Sequence, residues 1–152
     1  MMTFRKYYNL LFVPAMLIIF LTFFSGFAVK SESEEIKYLL RERTRILQDC
    51  YYGLIDAESA EDELAGIETY PILSEDIKGL REWEGTEVDI VEKMIFTSLE
   101  KKHSILGSET YRAEICWEVS GLGEDYTMTG GYYIVVKNDG GKLLLSNFTP
   151  ID

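Results

Sequence analysis

The sequence predicts an α+β domain, helices packed on a bent four-stranded antiparallel sheet, placed behind an apolar N-terminal segment. Three observations predict it. Apolar residues recur at steps of three and four from Ser31 to about Glu84, the period of a helix, and after Gly85 the period changes to two, that of a strand. The run from Leu10 to Val29 carries no charge. The expected organisation is a cytoplasmic tail over 1–9, a transmembrane helix or signal peptide over 10–29, and an extracytoplasmic domain over 30–152. Within that domain helices fill 31–84 and the sheet fills 86–150.

The N-terminal run, LLFVPAMLIIFLTFFSGFAV, is about 20 residues long, the length a helix needs to cross a hydrocarbon core about 30 Å thick. Arg5 and Lys6 precede it and the acidic SESEE beginning at Ser31 follows it. Positive flanks stay in the cytoplasm, so the N-terminus is expected inside and the rest of the chain outside. Pro14 lies in the first turns, where lost helix bonds cost least. The alternative is a signal peptide cleaved near Ala28, because Gly26 and Ala28 place small residues where a signal peptidase inspects them. Both readings export the domain.

Arg5 and Lys6 are the only charges before Lys30, so the remainder carries 13 basic and 26 acidic residues, a formal charge of −13. Such a surface repels phosphate backbones and anionic headgroups, which argues against nucleic acid as a partner. Cys50 and Cys116 lie in the exported part, where a disulfide is chemically allowed. Cys50 ends a predicted helix and Cys116 falls within a predicted strand, so a disulfide requires that helix end to meet the middle of the sheet. Two separate thiols is the simpler expectation.

Ser31 and Glu34 have the spacing of a capping box. Beyond them Ile36, Leu40, Leu47, Cys50 and Leu54 form one helical stripe, widened by Leu39 and Ile46, while Glu35, Lys37, Arg41, Glu42, Arg45 and Asp49 line the wet face. The Arg41-Glu42-Arg43 triplet is read as part of that mixed-charge surface. Gly53 ends or bends the helix, and Asp56 caps a second one with Ala57, Ala60, Leu64 and Ile67 inward. Its acids Glu58 and Glu61 complement the helix dipole, with no spacing suited to a metal. Tyr70-Pro71 breaks the pattern. Ser74 is then expected to cap a third helix with Ile77 and Leu80 inward, Glu75 and Asp76 early, and Lys78 and Arg81 late.

A first strand is expected from Val88 to about Leu99. In the second, Tyr111, Ala113, Ile115, Trp117 and Val119 alternate with Arg112, Glu114, Cys116, Glu118 and Ser120, giving one buried and one wet face. A third strand runs from about Tyr126 to Lys137, where Gly130 and Gly131 would permit a bulge or sharp bend. Asn138-Asp139-Gly140-Gly141 is a hairpin signal, because these residues accept positive φ cheaply, and Lys142 to Phe148 is the fourth strand. A long helix, short helices, then strands carrying RAEICWEV, YYIVVK and GGKLLLSNF resemble the cystatin-like and NTF2-like superfamily. More narrowly, the chain resembles small membrane-anchored proteins of unknown function from Gram-positive bacteria. The resemblance spans about Ser31 to Asp152 and implies the helix-on-sheet architecture. Its members include enzymes, secretion and conjugation components, and binding domains, so it fixes architecture better than function.

No reactive constellation is visible. His103 is the only histidine, so one chain cannot build a two-histidine metal site, and the neighbouring Lys101 and Lys102 suggest an exposed hairpin end. The serines lack a nucleophile-elbow context, and Gly121-Leu122-Gly123 is too short for a phosphate loop. No catalytic residue, metal ligand or cofactor is therefore assigned. Tyr111 and Trp117 belong to the core by their alternation, which leaves Trp83 and Tyr132 as candidates for lining a ligand pocket. The expected function is a non-catalytic, membrane-tethered module that binds an envelope protein in an envelope, secretion or conjugation assembly. The alternative is a small-molecule-binding or enzymatic pocket domain of NTF2-like type.

Overall fold

A computed structural model describes residues 31–83 and 88–151. The segment 10–29, and with it the anchor or signal, lies outside the described residues. No described helix is long and apolar enough to cross a membrane. Three helices, α1 (Glu32–Tyr51), α2 (Ala57–Ala65) and α3 (Ile72–Trp83), precede four strands, β1 (Ile90–Ile105), β2 (Ser108–Ser120), β3 (Asp125–Asp139) and β4 (Lys142–Pro150). The strands pair in sequence order, every pair antiparallel. The architecture is α+β.

The apolar stripe of α1 serves two cores in succession. Ile36, Leu39 and Leu40 pack against the sheet with Ala113, Ile115, Ile134 and Leu145, whereas Ile46 and Cys50 pack against Ala60 and Leu64 of α2 and Leu80 of α3. Each fully buried Leu or Ile contributes roughly 1.5–3 kcal/mol, so both halves of the stripe are needed. Ile67, between α2 and α3, touches both cores. Leu54 does not belong to the stripe: α1 ends at Tyr51, Gly53 takes φ +68°, and Leu54 is 73% exposed.

Asp56 caps α2, its Oδ1 accepting from the Ser59 amide at 2.7 Å. The third helix starts earlier than the expected Ser74 cap. Pro71 precedes its first residue, where a missing N–H costs nothing, and the Ser74 and Glu75 amides both donate to the Pro71 carbonyl. Ser74 sits inside the first turn and donates its hydroxyl to the same carbonyl at 2.8 Å.

In β2 the alternation holds as read: Tyr111, Ala113, Ile115, Trp117 and Val119 are buried on the helix side. The β1 strand runs six residues beyond the expected end at Leu99, because Leu106 (φ +49°) and Gly107 (φ +77°) make a two-residue turn that lets the hairpin continue. The polar stretch Glu100–Ser104 is therefore strand, with Lys101 reaching Glu109 across the hairpin at 2.6 Å.

Gly130 and Gly131 do not make a bulge. The β2–β3 register is unbroken from Asp125 to Lys137, and the irregularities fall instead in β1, at three places, and in β4 opposite Val135 and Val136. The reason is the ring of Tyr132. A Cβ on Gly130 would lie 3.0–3.2 Å from that ring and its hydroxyl, so the glycine makes room for a side chain leaning along its own strand.

Both sheet edges are partly covered. At the β1 edge the Val91 amide donates to Gln48 Oε1 of α1 at 2.6 Å, and the Tyr52 hydroxyl donates to the Val88 carbonyl. Against β4, the segment 67–69 makes a short parallel bridge: Thr69 N–H donates to Leu145 O at 2.8 Å, and Leu145 N–H donates to Ile67 O at 2.9 Å.

Candidate functional site

Two features of the described residues could carry function: a buried charge cluster behind β4, and an open groove between α1 and β1. They are built from opposite sides of the same helix.

The cluster begins with Arg43. It stands at the apolar-stripe spacing of α1, three residues after Leu40 and seven after Ile36, so its side chain is carried toward the interior. There it meets Asp76, which occupies the equivalent inward position of α3, midway between buried Ile72 and Leu80. The pair is a bidentate fork, Nε to Oδ2 at 2.6 Å and Nη2 to Oδ1 at 2.7 Å. Glu68, from the segment bridged to β4, brings a second carboxylate. Its side chain is wholly buried and Oε1 lies 3.2 Å from Arg43 Nε, yet neither carboxylate oxygen accepts a hydrogen bond, because the Arg43 donors on that side are committed to Asp76. Burial first, then the charge of Asp76, pushes the Glu68 carboxyl up to about 8 against the weaker pull of Arg43. Tyr51, nearby on α1, is raised by burial and by Asp76.

The cluster abuts an aromatic stack. Arg43 sits 5.8 Å over the Phe148 ring, Phe148 stacks on Tyr132 with centroids 4.7 Å apart, and Trp117 Nε1 donates to the Tyr132 hydroxyl at 3.0 Å. Tyr132 is thus a half-buried member of a filled layer, its polar tip occupied by Trp117. Trp83 closes α3, and its side chain lies outside the described residues. No disulfide joins the cysteines: Cys50 is buried among the helices, whereas Cys116 alternates with Ile115 and Trp117 and so faces the opposite side of the sheet. His103 is exposed on β1, opposite Thr110. Among the described residues no group of His, Cys, Asp and Glu is placed to hold a metal.

The groove has a volume of about 570 Å³. Arg41, Thr44, Arg45 and Gln48, one face of α1, form one wall, and Val91 to Ile95 of β1 the other. Its apolar surface comes from Val91, Met94 and Ile95, the last 42% exposed. Arg45 is already tied to Glu42, Asp49 and Glu63, and Lys93 to Glu118. Arg41 is different. Among the described residues it makes no ion pair and only lies 5.8 Å from the Phe96 ring centroid.

At the far end of the sheet Lys101, Glu109 and Tyr111 form a third polar group. Hydrogen bonding with Glu32, Lys101 and Tyr111 holds Glu109 down to about 2, and burial with the Glu109 contact pushes the Tyr111 phenol up.

Arg43 and Asp76 could have been noticed in the sequence as charges standing on otherwise apolar helical stripes. Glu68 offered no such signal, since it lies in a connection without period.

No family model matches the chain, and no curated protein matches it. Among solved structures it is similar to the NMR solution structure of the candidate transfer protein TraH from the Gram-positive conjugative plasmid pIP501, at 10% identity and a TM-score of 0.41, over 74% of this chain and 93% of that one.

Proposed function

We propose that the chain is a membrane-tethered, non-catalytic domain that binds another envelope protein through the groove between α1 and β1. The occupant is an apolar segment of that partner carrying a carboxylate. The observation that supports this is Arg41: in a domain of formal charge −13 it is a cation without an ion pair among the described residues, at the rim of a groove whose other cations are already paired. An incoming carboxylate satisfies Arg41, while its apolar neighbours cover Val91, Met94 and Ile95.

Docking by side chains suits this surface better than addition of a strand. The free edge of β1 is interrupted by three register shifts and carries Lys93, Lys101 and Lys102, the devices by which proteins discourage strand pairing. The reading of an enclosed small-molecule pocket has less support, because Trp117, Tyr132 and Phe148 fill the space where aromatic walls would have stood. Tethering rests on the uncharged run 10–29 with its basic leading flank, which supports a domain outside the cell membrane; secretion after cleavage near Ala28 is the alternative.

A photo-cross-linkable residue at Thr44 of the full chain, in its own membranes, tests the proposal. A single stoichiometric partner is expected from Thr44 and not from Tyr133, an exposed residue on the opposite sheet face, with capture falling at least tenfold in Arg41→Glu and Ile95→Asp. Equal capture from both positions, or capture indifferent to both substitutions, overturns it.

A further inference from the structure

We infer that the bridge between segment 67–69 and β4 is a proton-operated latch, in which Glu68 and Asp76 share one buried proton beside Arg43 and the latch tightens as pH falls. The geometry carries the case. Two carboxylates converge on one guanidinium, Asp76 takes both of its well-aligned donors, and Glu68 is left wholly buried with neither oxygen accepting a hydrogen bond. Ionised, Glu68 is a second negative charge held by one cation. Protonated, it is neutral and supplies an O–H donor directed at the Asp76 carboxylate.

Every element packed around Glu68 leaves the proton as the simplest remedy. The groups acting on it are Arg43 from α1 and Asp76 from α3, while Tyr51 of α1 feels Asp76 and Arg43 and not Glu68. From the sheet, the Lys137 ammonium of β3 donates to the Tyr70 carbonyl at 3.0 Å, and the Ser146 hydroxyl of β4 donates to the same oxygen at 3.0 Å, so neither is directed at Glu68. Segment α2 contributes only its end, the Glu68 amide donating to Leu64 O.

What the proton controls follows from the backbone on either side. Ile67 O and Thr69 N flank Glu68 and make the two bridge bonds to Leu145, so the side chain cannot leave its burial without breaking them. An open segment hydrates Glu68, returning its carboxyl to the usual range near 4.5, whereas the closed one holds it at about 8. Between those values the closed state binds a proton that the open state lacks. Opening therefore grows about tenfold per pH unit from about 4.5 to about 8 and levels off above. The groups whose carboxyls are lowered, among them Glu109, act below this window and with the opposite sign.

Hydrogen exchange of the full chain in detergent micelles, corrected for intrinsic rates, reads the latch directly. Protection of the Thr69 and Leu145 amides is expected to fall about tenfold per unit from pH 5 to 8 while staying below that of Ala113 and Ile134 in the sheet core, which exchange only on global unfolding. In Glu68→Gln the slope at Thr69 and Leu145 is expected to vanish. Because a variant can also fail to fold, the carbon-13 shift of the Glu68 carboxyl in the unaltered chain provides a second readout, with an expected midpoint near 8. Protection independent of pH, latch amides as strongly protected as Ala113 and Ile134 at pH 8, a slope retained in Glu68→Gln, or a carboxyl midpoint near 4.5 would each overturn the inference.

Discussion

Arg43 and Arg45 stand two residues apart on one helix, and each gathers more than one carboxylate, but the consequences differ because one faces inward and the other outward. Arg43 is 18% exposed and meets Asp76 and Glu68, which are nearly or wholly buried; Arg45 is 45% exposed and meets Glu42, Asp49 and Glu63 at 2.8–3.1 Å. Counting contacts, Arg45 has more. Counting energy, Arg43 decides more, since water stands ready to replace any partner Arg45 loses and cannot reach those of Arg43.

The largest effect should come from Arg43→Met. It leaves two carboxylates buried without a cation and removes the guanidinium over Phe148, which costs about 3–5 kcal/mol when one member of a buried pair is deleted. Denaturant unfolding of the full chain measures this. A sharper form replaces the whole cluster, as Arg43→Met with Glu68→Leu and Asp76→Leu. Most of the lost stability should return, because the burial cost of the charges goes with them. A triple variant no more stable than Arg43→Met would mean that the packing around Phe148, and not the charge, sets the difference.

The two arginines also show where a sequence stops being legible. The stripes of α1 and the alternation of β2 could be read because each residue's burial is decided by its own element: Ile36, Leu40 and Cys50 lie one above another on a helix, and Ala113, Ile115 and Trp117 share one side of a strand. Arg43 falls on the first of these stripes, yet a charge in the RERTR run of α1 reads as solvated surface until its partner is known. That partner lies 33 residues away on another helix. Glu68 is further from view, because its burial follows from the bridge to Leu145, a contact between a non-periodic connection and a strand 77 positions later. The end of β1 was hidden for a local reason: Leu106 adopts positive φ, which its identity does not advertise. Gly130 and Gly131 suggest a bulge that the unbroken register excludes, because a glycine can also make room for a neighbouring ring.

Acid and base should separate the interior from the surface by sign. The raised Glu68 contributes stability that is full below about 4.5 and is lost as pH rises to about 8. The lowered Glu109, beside Lys101 at 2.6 Å, does the reverse: its contribution is full above about 4.5 and is lost as pH falls through about 2. Urea unfolding across pH 2 to 9 is expected to show the first slope removed in Glu68→Gln and the second reduced in Glu109→Gln. If Glu68→Gln left the slope between pH 4.5 and 8 unchanged, the interior cluster would not be its source.

Arg45→Met should have the smallest effect, and its smallness is what the comparison needs. The variant deletes three ion pairs, yet each joins partly exposed side chains, Glu63 being 42% exposed, so their attraction is screened and their ordering costs entropy. A loss of under about 1 kcal/mol is expected in low salt, shrinking further in 1 M salt, where the screening length is only about 3 Å. Arg43→Met should keep most of its effect under the same conditions, because salt does not enter the space between α1, α3 and the 67–69 bridge. A loss at Arg45 as large and as salt-resistant as that at Arg43 would show that the Glu42, Asp49 and Glu63 network holds α1 to α2 as a cooperative unit, and exposure would then be the wrong measure of what an arginine contributes.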